Sequence, residues 1–322
     1  MRKSILVTGA GGFIGSHLAR SLMDDGHIVI GVDIVSNSYW RLHEIADHFY
    51  KIDLRNQQGK LAKLFDKHAF DQVYHLAADM GGVGYIGAHN DAQIISNNTR
   101  IDINVAEATF KHGCKDLVFT SSACRYPDPL AINKDPLYKL KEEDAHPAHP
   151  CDGYGWSKLS TEFLLDGYNR NHGTRYKVAV LNNIYGDPGT YKGGKEKSPA
   201  AICRKVAEAT DTVQIWGDGT AWRSYCHVSD AVSGLKVIMA NNVLSPVNIA
   251  NDNAITIQRL TELVIGLSGK DLKIKHIAGP VGANSRLSDV TKAKLRLGWE
   301  AKTDLVEGMK SLYTWINSQV NP

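Results

Sequence analysis

SILVTGAGGFIGSHL, residues 4–18, is the stretch that decides the fold. SILVT is short, apolar and rich in strand formers. Gly9, Gly12 and Gly15 follow at three-residue spacing, and SHLARSLMDDG continues with the apolar spacing of an amphipathic helix. Glycine lets the backbone turn sharply and approach a ligand closely, and a helix N-terminus offers free N–H groups to an anion. Set between a strand and a helix, this spacing marks a dinucleotide-binding turn.

The next segments extend that reading. HIVIGVD (27–33) ends in Asp33, whose carboxylate suits ribose hydroxyls and repels a 2′-phosphate. The nearest following arginine is Arg41, so NAD is expected rather than NADP. KIDL (51–54) ends a third strand and places Asp53 and Leu54 to bracket the adenine. QVYHLAA (72–78) and DLVFTSS (116–122) read as further strands, with a helix over 97–113 between them. The alternation predicts an α/β fold, a Rossmann-type doubly wound parallel sheet with helices on both faces. Ligands then gather at the carboxyl ends of the strands.

Composition narrows the function. The chain has 322 residues, 43% apolar and 22% charged, with a net charge of +3. That balance implies no broad face for nucleic acid. Five scattered cysteines with no CxxC pair indicate neither a disulfide framework nor a zinc site, and no metal is expected. A reducing, cytoplasmic setting follows. The apolar start breaks into glycines too early for a signal peptide, and no run approaches a membrane span.

Chemistry concentrates in two motifs. YGWSK (154–158) opens a helix and puts Tyr154 and Lys158 on one face. An ammonium beside a phenol is expected to draw its pKa down towards neutrality, so that it can accept a hydroxyl proton. SSACRYP (121–127) places Ser122 at a strand end, where it can bond the same hydroxyl, and Cys124 two residues beyond.

Together, TGAGGFIGSHL, LAA, NN (97–98), SS, YGWSK and NNIYG (182–186) resemble the extended short-chain dehydrogenase/reductase family over essentially the whole chain. The resemblance implies a cofactor set of Gly9, Gly12, Phe13, Ile14, Gly15, Asp33, Asp53, Leu54, Ala77, Tyr154 and Lys158. Where dehydratases of that family carry a glutamate that removes the C5 proton of a 4-keto sugar, this chain has Cys124. A thiol near positive charge is a competent base. GTYKGGKEKSPAAICRK (189–205) reads as a loop over the substrate, with a helix starting near Pro199, and offers Lys197 as the opposing acid.

LAADMGGVGYIGAHN (76–90), SSACRYP, the 189–205 segment, WGDGTAWRSYCHVSD (216–230) and HIAGPVGANSRLSD (276–289) are similar to the GDP-mannose 3,5-epimerase branch of that family. This similarity implies catalytic Ser122, Cys124, Tyr154, Lys158 and Lys197. It implies substrate contacts at Gly82, Ser122, Asn183, Lys197, Lys205, Arg223 and Arg286, for a nucleotide-diphosphate sugar, a GDP-hexose. A homodimer paired through helices 97–113 and 155–172 is expected from the same source. Arg125, Leu181-Asn182 and Trp156-Ser157 depart from the branch pattern. An inward Arg125 would depress the thiol pKa or meet a phosphate or a carboxylate. The rival readings are a GDP-4-keto-6-deoxymannose epimerase/reductase, another nucleotide-sugar epimerase and a dinucleotide sensor without turnover.

The expected division is a dinucleotide-binding domain over 1–186, to which 227–250 returns, and a sugar-nucleotide lobe from 187–226 and 251–322. HPAHP (146–150) reads as a surface loop and KEED (141–144) as a solvated turn. Cys114, Cys151, Cys203 and Cys226 read as small buried residues. Met80-Gly81-Gly82 reads as a loop approaching the nicotinamide or the sugar. Asp79 has no role derivable from the sequence.

Overall fold

A computed structural model describes residues 1–36, 39–86, 90–127, 135–279 and 282–322. Parts of two quoted motifs, 87–89 and 280–281, lie outside the described residues.

The first half alternates strand and helix: β1 (Ser4–Thr8), α1 (Phe13–Asp24), β2 (Ile28–Asp33), β3 (His48–Lys51), α2 (Gln58–Lys67) and β4 (Gln72–His75). A short α3 (Val83–Ile86) precedes α4 (Asp91–Lys111), β5 (Asp116–Ser122), β6 (Lys139–Leu140), α5 (Gly153–His172) and β7 (Arg175–Leu181). Then come β8 (Ile184–Tyr185), α6 (Ser198–Glu208), β9 (Thr212–Trp216), β10 (Trp222–Ser224), β11 (Cys226–His227) and α7 (Val228–Ala240). The chain closes with β12 (Val247–Ile249), β13 (Ala254–Thr256), α8 (Ile257–Ser268), β14 (Lys273–Ile277), β15 (Ser285–Ser288) and α9 (Leu305–Val320).

Seven strands pair in parallel in the order β12-β7-β5-β4-β1-β2-β3. Their apolar runs are long because the sheet is covered on both faces. One face packs on α2, α4 and α5 through Leu61, Phe65, Val105 and Leu165. The other packs on α1 and α7 through Leu18, Leu22, Leu235 and Ile238. The connections reverse direction between β1 and β4, and a crevice opens there at the carboxyl ends of the strands. Because the strands are parallel, the glycine turn, Asp33, Ala77, Ser122 and Asn183 all emerge at that edge.

A smaller mixed sheet has the order β13-β10-β15-β6. Its β10–β13 pair is antiparallel, and β10 runs parallel to β15 with Arg223 opposite Arg286. A separate apolar core joins α6, α8 and α9 through Cys203, Val206, Leu260, Val264, Leu312 and Ile316. Among the described residues no helix is long and apolar enough to cross a membrane. Among them, also, no group of three His, Cys, Asp or Glu side chains could hold a metal.

Several local expectations need correcting. The third strand ends at Lys51, so Asp53 and Leu54 lie beyond it. The helix expected from residue 97 begins at Asp91. Cys151 is exposed, because it sits on the turn leading into α5. KEED is not simply solvated: Glu142 is buried and accepts a hydrogen bond from the Asn248 amide at 2.8 Å.

Candidate active site

The glycine turn is shaped for close approach. Gly9 has φ +74°, and a Cβ there would stand 2.7 Å from the Ala77 nitrogen. A Cβ at Gly15 would overlap the Gly9 carbonyl oxygen. The N-cap of α1 is Gly12, with no side-chain capping bond, so its first amides face the crevice rather than a protein oxygen. Asp33 accepts from the amides of Gly11 (2.9 Å), Ile34 (2.6 Å) and Val35 (3.2 Å). Burial raises its carboxyl pKa, and those amides oppose the rise. Asp53 is bound by the Arg55 guanidinium through two hydrogen bonds of 2.9 and 2.7 Å and by the Arg55 amide at 3.0 Å.

A cavity of about 640 Å³ runs from this turn to the 195–200 segment at the start of α6. Every residue of the expected cofactor set lines it: Gly9, Gly12, Phe13, Ile14, Gly15, Asp33, Asp53, Leu54, Ala77, Tyr154 and Lys158. A backbone cradle for a pyrophosphate and a carboxylate anchored beside it fit a dinucleotide.

Ser122, Asn183 and Lys197 line the same cavity. Asp152 caps α5 by accepting from the Gly155 amide at 2.7 Å and so fixes the turn that carries Tyr154. Ser122 and Tyr154 both line the cavity, near enough for the serine hydroxyl to act on the phenol. The Lys158 ammonium lies 4.4 Å from the Phe119 ring centre and 5.6 Å from that of Tyr154. The phenol pKa is not drawn down as expected. Burial raises it, the Cys124 sulfur adds to the rise, and the Ser122 hydroxyl opposes it. Burial also lowers the Lys158 ammonium, against the fields of Asp102 and Glu162. Desolvation is the largest influence on both groups.

Cys124 is buried beside Ile86, Ile94 and Tyr154. Its amide donates to Ser122 Oγ at 3.2 Å, and its sulfur accepts from Arg286 Nη1 at 3.3 Å. Lys197 donates to the Gly81 carbonyl at 3.3 Å. Burial lowers the Lys197 ammonium, the Cys124 field raises it and Arg286 lowers it further. Thiol, amine and guanidinium therefore share one electrostatic neighbourhood.

Arg125 turns inward and meets a carboxylate, with its Nε 2.9 Å from Glu162 Oε1 and both side chains almost fully buried. Glu162 also accepts from Ser121.

Gly82, Cys124, Lys205, Arg223 and Arg286 do not line the cavity. Gly82 packs against the Glu196 carbonyl, where a Cβ would come within 2.6 Å. Arg223 donates to the carbonyls of Trp222 (2.7 Å) and Ala283 (2.8 Å). Its register with Arg286 puts two cations side by side, an arrangement that favours an anionic guest. Lys205 stands apart from them, donating to the Gln214 carbonyl at 2.9 Å with its ammonium 5.4 Å from the Trp216 ring centre. Asn183 holds φ 46°, a conformation asparagine tolerates, and donates to the Ser224 carbonyl at 3.1 Å.

Sequence reasoning missed three contributors. A Cβ on Gly155 would overlap the Cys124 carbonyl oxygen, so the glycine inside YGWSK sets the distance between α5 and the thiol turn. Asn182 donates to the Arg286 carbonyl (3.2 Å) and to Ser288 Oγ (3.0 Å), holding the strand that carries Arg286. Behind Lys158, a buried chain runs from Thr8 through His75 and Asp102 to Thr161. The glycine was visible; the other two depend on partners tens of residues away.

The model of the NAD dependent epimerase/dehydratase family matches residues 5–250. The chain is 40% identical over 316 residues to GDP-mannose 3,5-epimerase of Arabidopsis thaliana, covering 98% of this chain and 82% of that protein. It is 30% identical over 310 residues to UDP-glucuronic acid decarboxylase 6 of the same plant, covering 95% and 86%. Among solved structures, UDP-glucose 4-epimerase of Thermotoga maritima with UDP-glucose superposes with a TM-score of 0.87 at 27% identity, covering 99% of this chain and all of that one.

Proposed function

Because the chain belongs to the NAD dependent epimerase/dehydratase family, we propose that it inverts C3 and C5 of a GDP-hexose, GDP-mannose above all. The observation that carries this reading is Cys124. Its sulfur is held by Arg286 and sits in one electrostatic neighbourhood with Lys197, next to a Ser122–Tyr154 pair. A simple 4-epimerase has no use for the thiol and the amine. The 40% identity to a GDP-mannose 3,5-epimerase supports the sugar.

Gly9, Gly12, Phe13, Ile14, Gly15, Asp33, Asp53, Leu54 and Ala77 would hold NAD. When bound, NAD supplies a reversible acceptor for the C4 hydride. Tyr154, assisted by Ser122 and Lys158, takes the C4 hydroxyl proton. The resulting ketone acidifies the C–H bonds at C5 and C3. Cys124 removes the C5 proton and Lys197 delivers one from the opposite face; Cys124 then gives its proton to solvent and Lys197 regains one, and the reset pair inverts C3 in the same way. Tyr154 returns its proton to the C4 oxygen at the end of the cycle, so no net redox change is required. Gly82, Asn183, Lys205, Arg223 and Arg286 seat the nucleotide sugar in a lobe built from 187–226 and 251–322. Two chains pair through α4 and α5.

The test is incubation with GDP-mannose in D₂O. Deuterium is expected at C5 and C3 without added NADH. Absence of incorporation with every GDP-hexose tried would refute the proposal. Cys124→Ala is expected to lose exchange while still reducing bound NAD at C4.

A further inference from the structure

Asp79, without a role in the sequence, sits at a junction. Its amide donates to Asn98 Oδ1 at 2.7 Å, and its carbonyl accepts from Asn98 Nδ2 at 3.1 Å. Its Oδ2 accepts from Asn97 Nδ2 at 2.8 Å, and its Oδ1 from the Tyr85 hydroxyl at 2.8 Å. The backbone of Asp79 is thus fixed by Asn98 of α4, and its carboxylate is held by Asn97 of α4 on one oxygen and by Tyr85 on the other.

Opposite stands Lys195, in the segment that leads to Lys197. Its Nζ lies 3.8 Å from Asp79 Oδ1 and 4.0 Å from the Tyr85 ring centre. Arg55 also feels Asp79, but its guanidinium is committed to Asp53. The far side of the segment is tied to α6. Arg204 donates to the Tyr191 carbonyl at 3.0 Å and to Glu196 at 3.2 Å, and Glu196 accepts from the Gly194 amide at 2.7 Å. Gly193 and Gly194 have φ of +94° and +82° with nothing within 4 Å of a Cβ, so they make the turn without being packed. The segment is therefore bound to its own helix and crosses to the large sheet through Lys195, the Lys197–Gly81 bond and the Gly82–Glu196 backbone contact.

We propose that Asp79 is a positioning residue: with the Tyr85 ring it latches Lys195, and so holds the 191–197 loop, and the Lys197 amine, closed over the cavity. Asp79, Tyr85, Lys195 and Lys197 all line that cavity, so the latch closes its rim. The assignment of a chemical role to Lys197 rests on the function proposed above; the latch itself does not.

Hydrogen exchange of residues 191–197, followed by mass spectrometry on the full chain, reads the latch without substrate. Asp79→Asn and Lys195→Met are each expected to speed exchange about threefold to tenfold, the scale of one part-exposed ion pair and a cation–π contact. The double variant should be no faster than either single one, and Lys195→Arg should resemble the wild type. In turnover, both single variants should slow deuterium entry at C5 while leaving single-turnover reduction of bound NAD unchanged. Lys195 is half-exposed, so its replacement keeps the test available even if Asp79→Asn folds poorly. Unchanged exchange in Lys195→Met, or accelerations that multiply in the double variant, would overturn the latch. If no nucleotide sugar turns over, the exchange data still decide this proposal while the functional one fails.

Discussion

The Arg286 guanidinium donates to the Cys124 sulfur across 3.3 Å, from a residue 162 positions later in the chain. The sulfur lies at the end of the large sheet and the guanidinium in the small one. Asn182 secures the far strand from the end of β7 through two hydrogen bonds. The thiol thus has a cation as its immediate neighbour.

Removing that cation should be felt at the sulfur first. In Arg286→Leu, alkylation of Cys124 by iodoacetamide at neutral pH is expected to slow about ten- to hundredfold, the worth of one charge-assisted hydrogen bond. Deuterium entry at C5 should fall at least as much. Equal alkylation rates in variant and wild type would show that the contact does not govern the thiol.

Lys197 should impose an alkaline limit on inversion. Burial holds its ammonium below the ordinary 10.5, and a proton donor must be charged before it donates. Formation of the C5 epimer is therefore expected to decline as pH rises through that lowered value, while C4 oxidation keeps a different profile. Lys197→Arg, charged but a poor donor, should lose inversion and retain C4 oxidation. A decline set only above lysine's usual range would contradict this role.

Two glycines of α5 should respond oppositely to alanine. At Gly155 a Cβ overlaps the Cys124 carbonyl oxygen, so Gly155→Ala is expected to cost roughly 1–3 kcal/mol and to lower inversion more than tenfold. At Gly167 nothing lies within 4 Å, and Gly167→Ala should stabilise by about 0.5–1 kcal/mol through helix propensity. Thermal melts of the two variants compare them directly.

The proposed pairing of two chains has an exposed apolar face to use. On α5, Phe163 is 73% exposed and Trp156 41%; on α4, Ile95 and Ile103 are 36% and 39% exposed. Seven- and eight-residue spacings keep each pair on one helix face. Phe163→Glu is expected to shift a dimer towards monomer in light scattering. A mass identical to the wild type's at every concentration would count against this face.

Much of this was legible along the chain, because local patterns carry it. The apolar runs named β1, β2, β4 and β5, and the glycine turn followed from its place between strand and helix. Tyr154 and Lys158 were found by helical spacing read together with the glycine turn and the strand-end Ser122. Boundaries were less legible. The start of α4 at Asp91 depends on packing, since Asp91 itself accepts from the Gly153 amide of α5 at 2.6 Å. Buried charges were least legible: the direction of Arg125 was open in sequence and Glu142 read as solvated, and each found a buried partner in another element.

The sequence by itself determined the sheet, the cofactor turn and the residue types available for proton transfer, since periodicity and spacing act within a few turns of chain. Only the tertiary structure decided what surrounds those groups. It set Arg286 on Cys124, Asp79 on Lys195 and Glu162 on Arg125, and it let burial raise the Tyr154 phenol. Charge and desolvation act through space over a few ångströms, and folding alone brings residues distant in sequence that close.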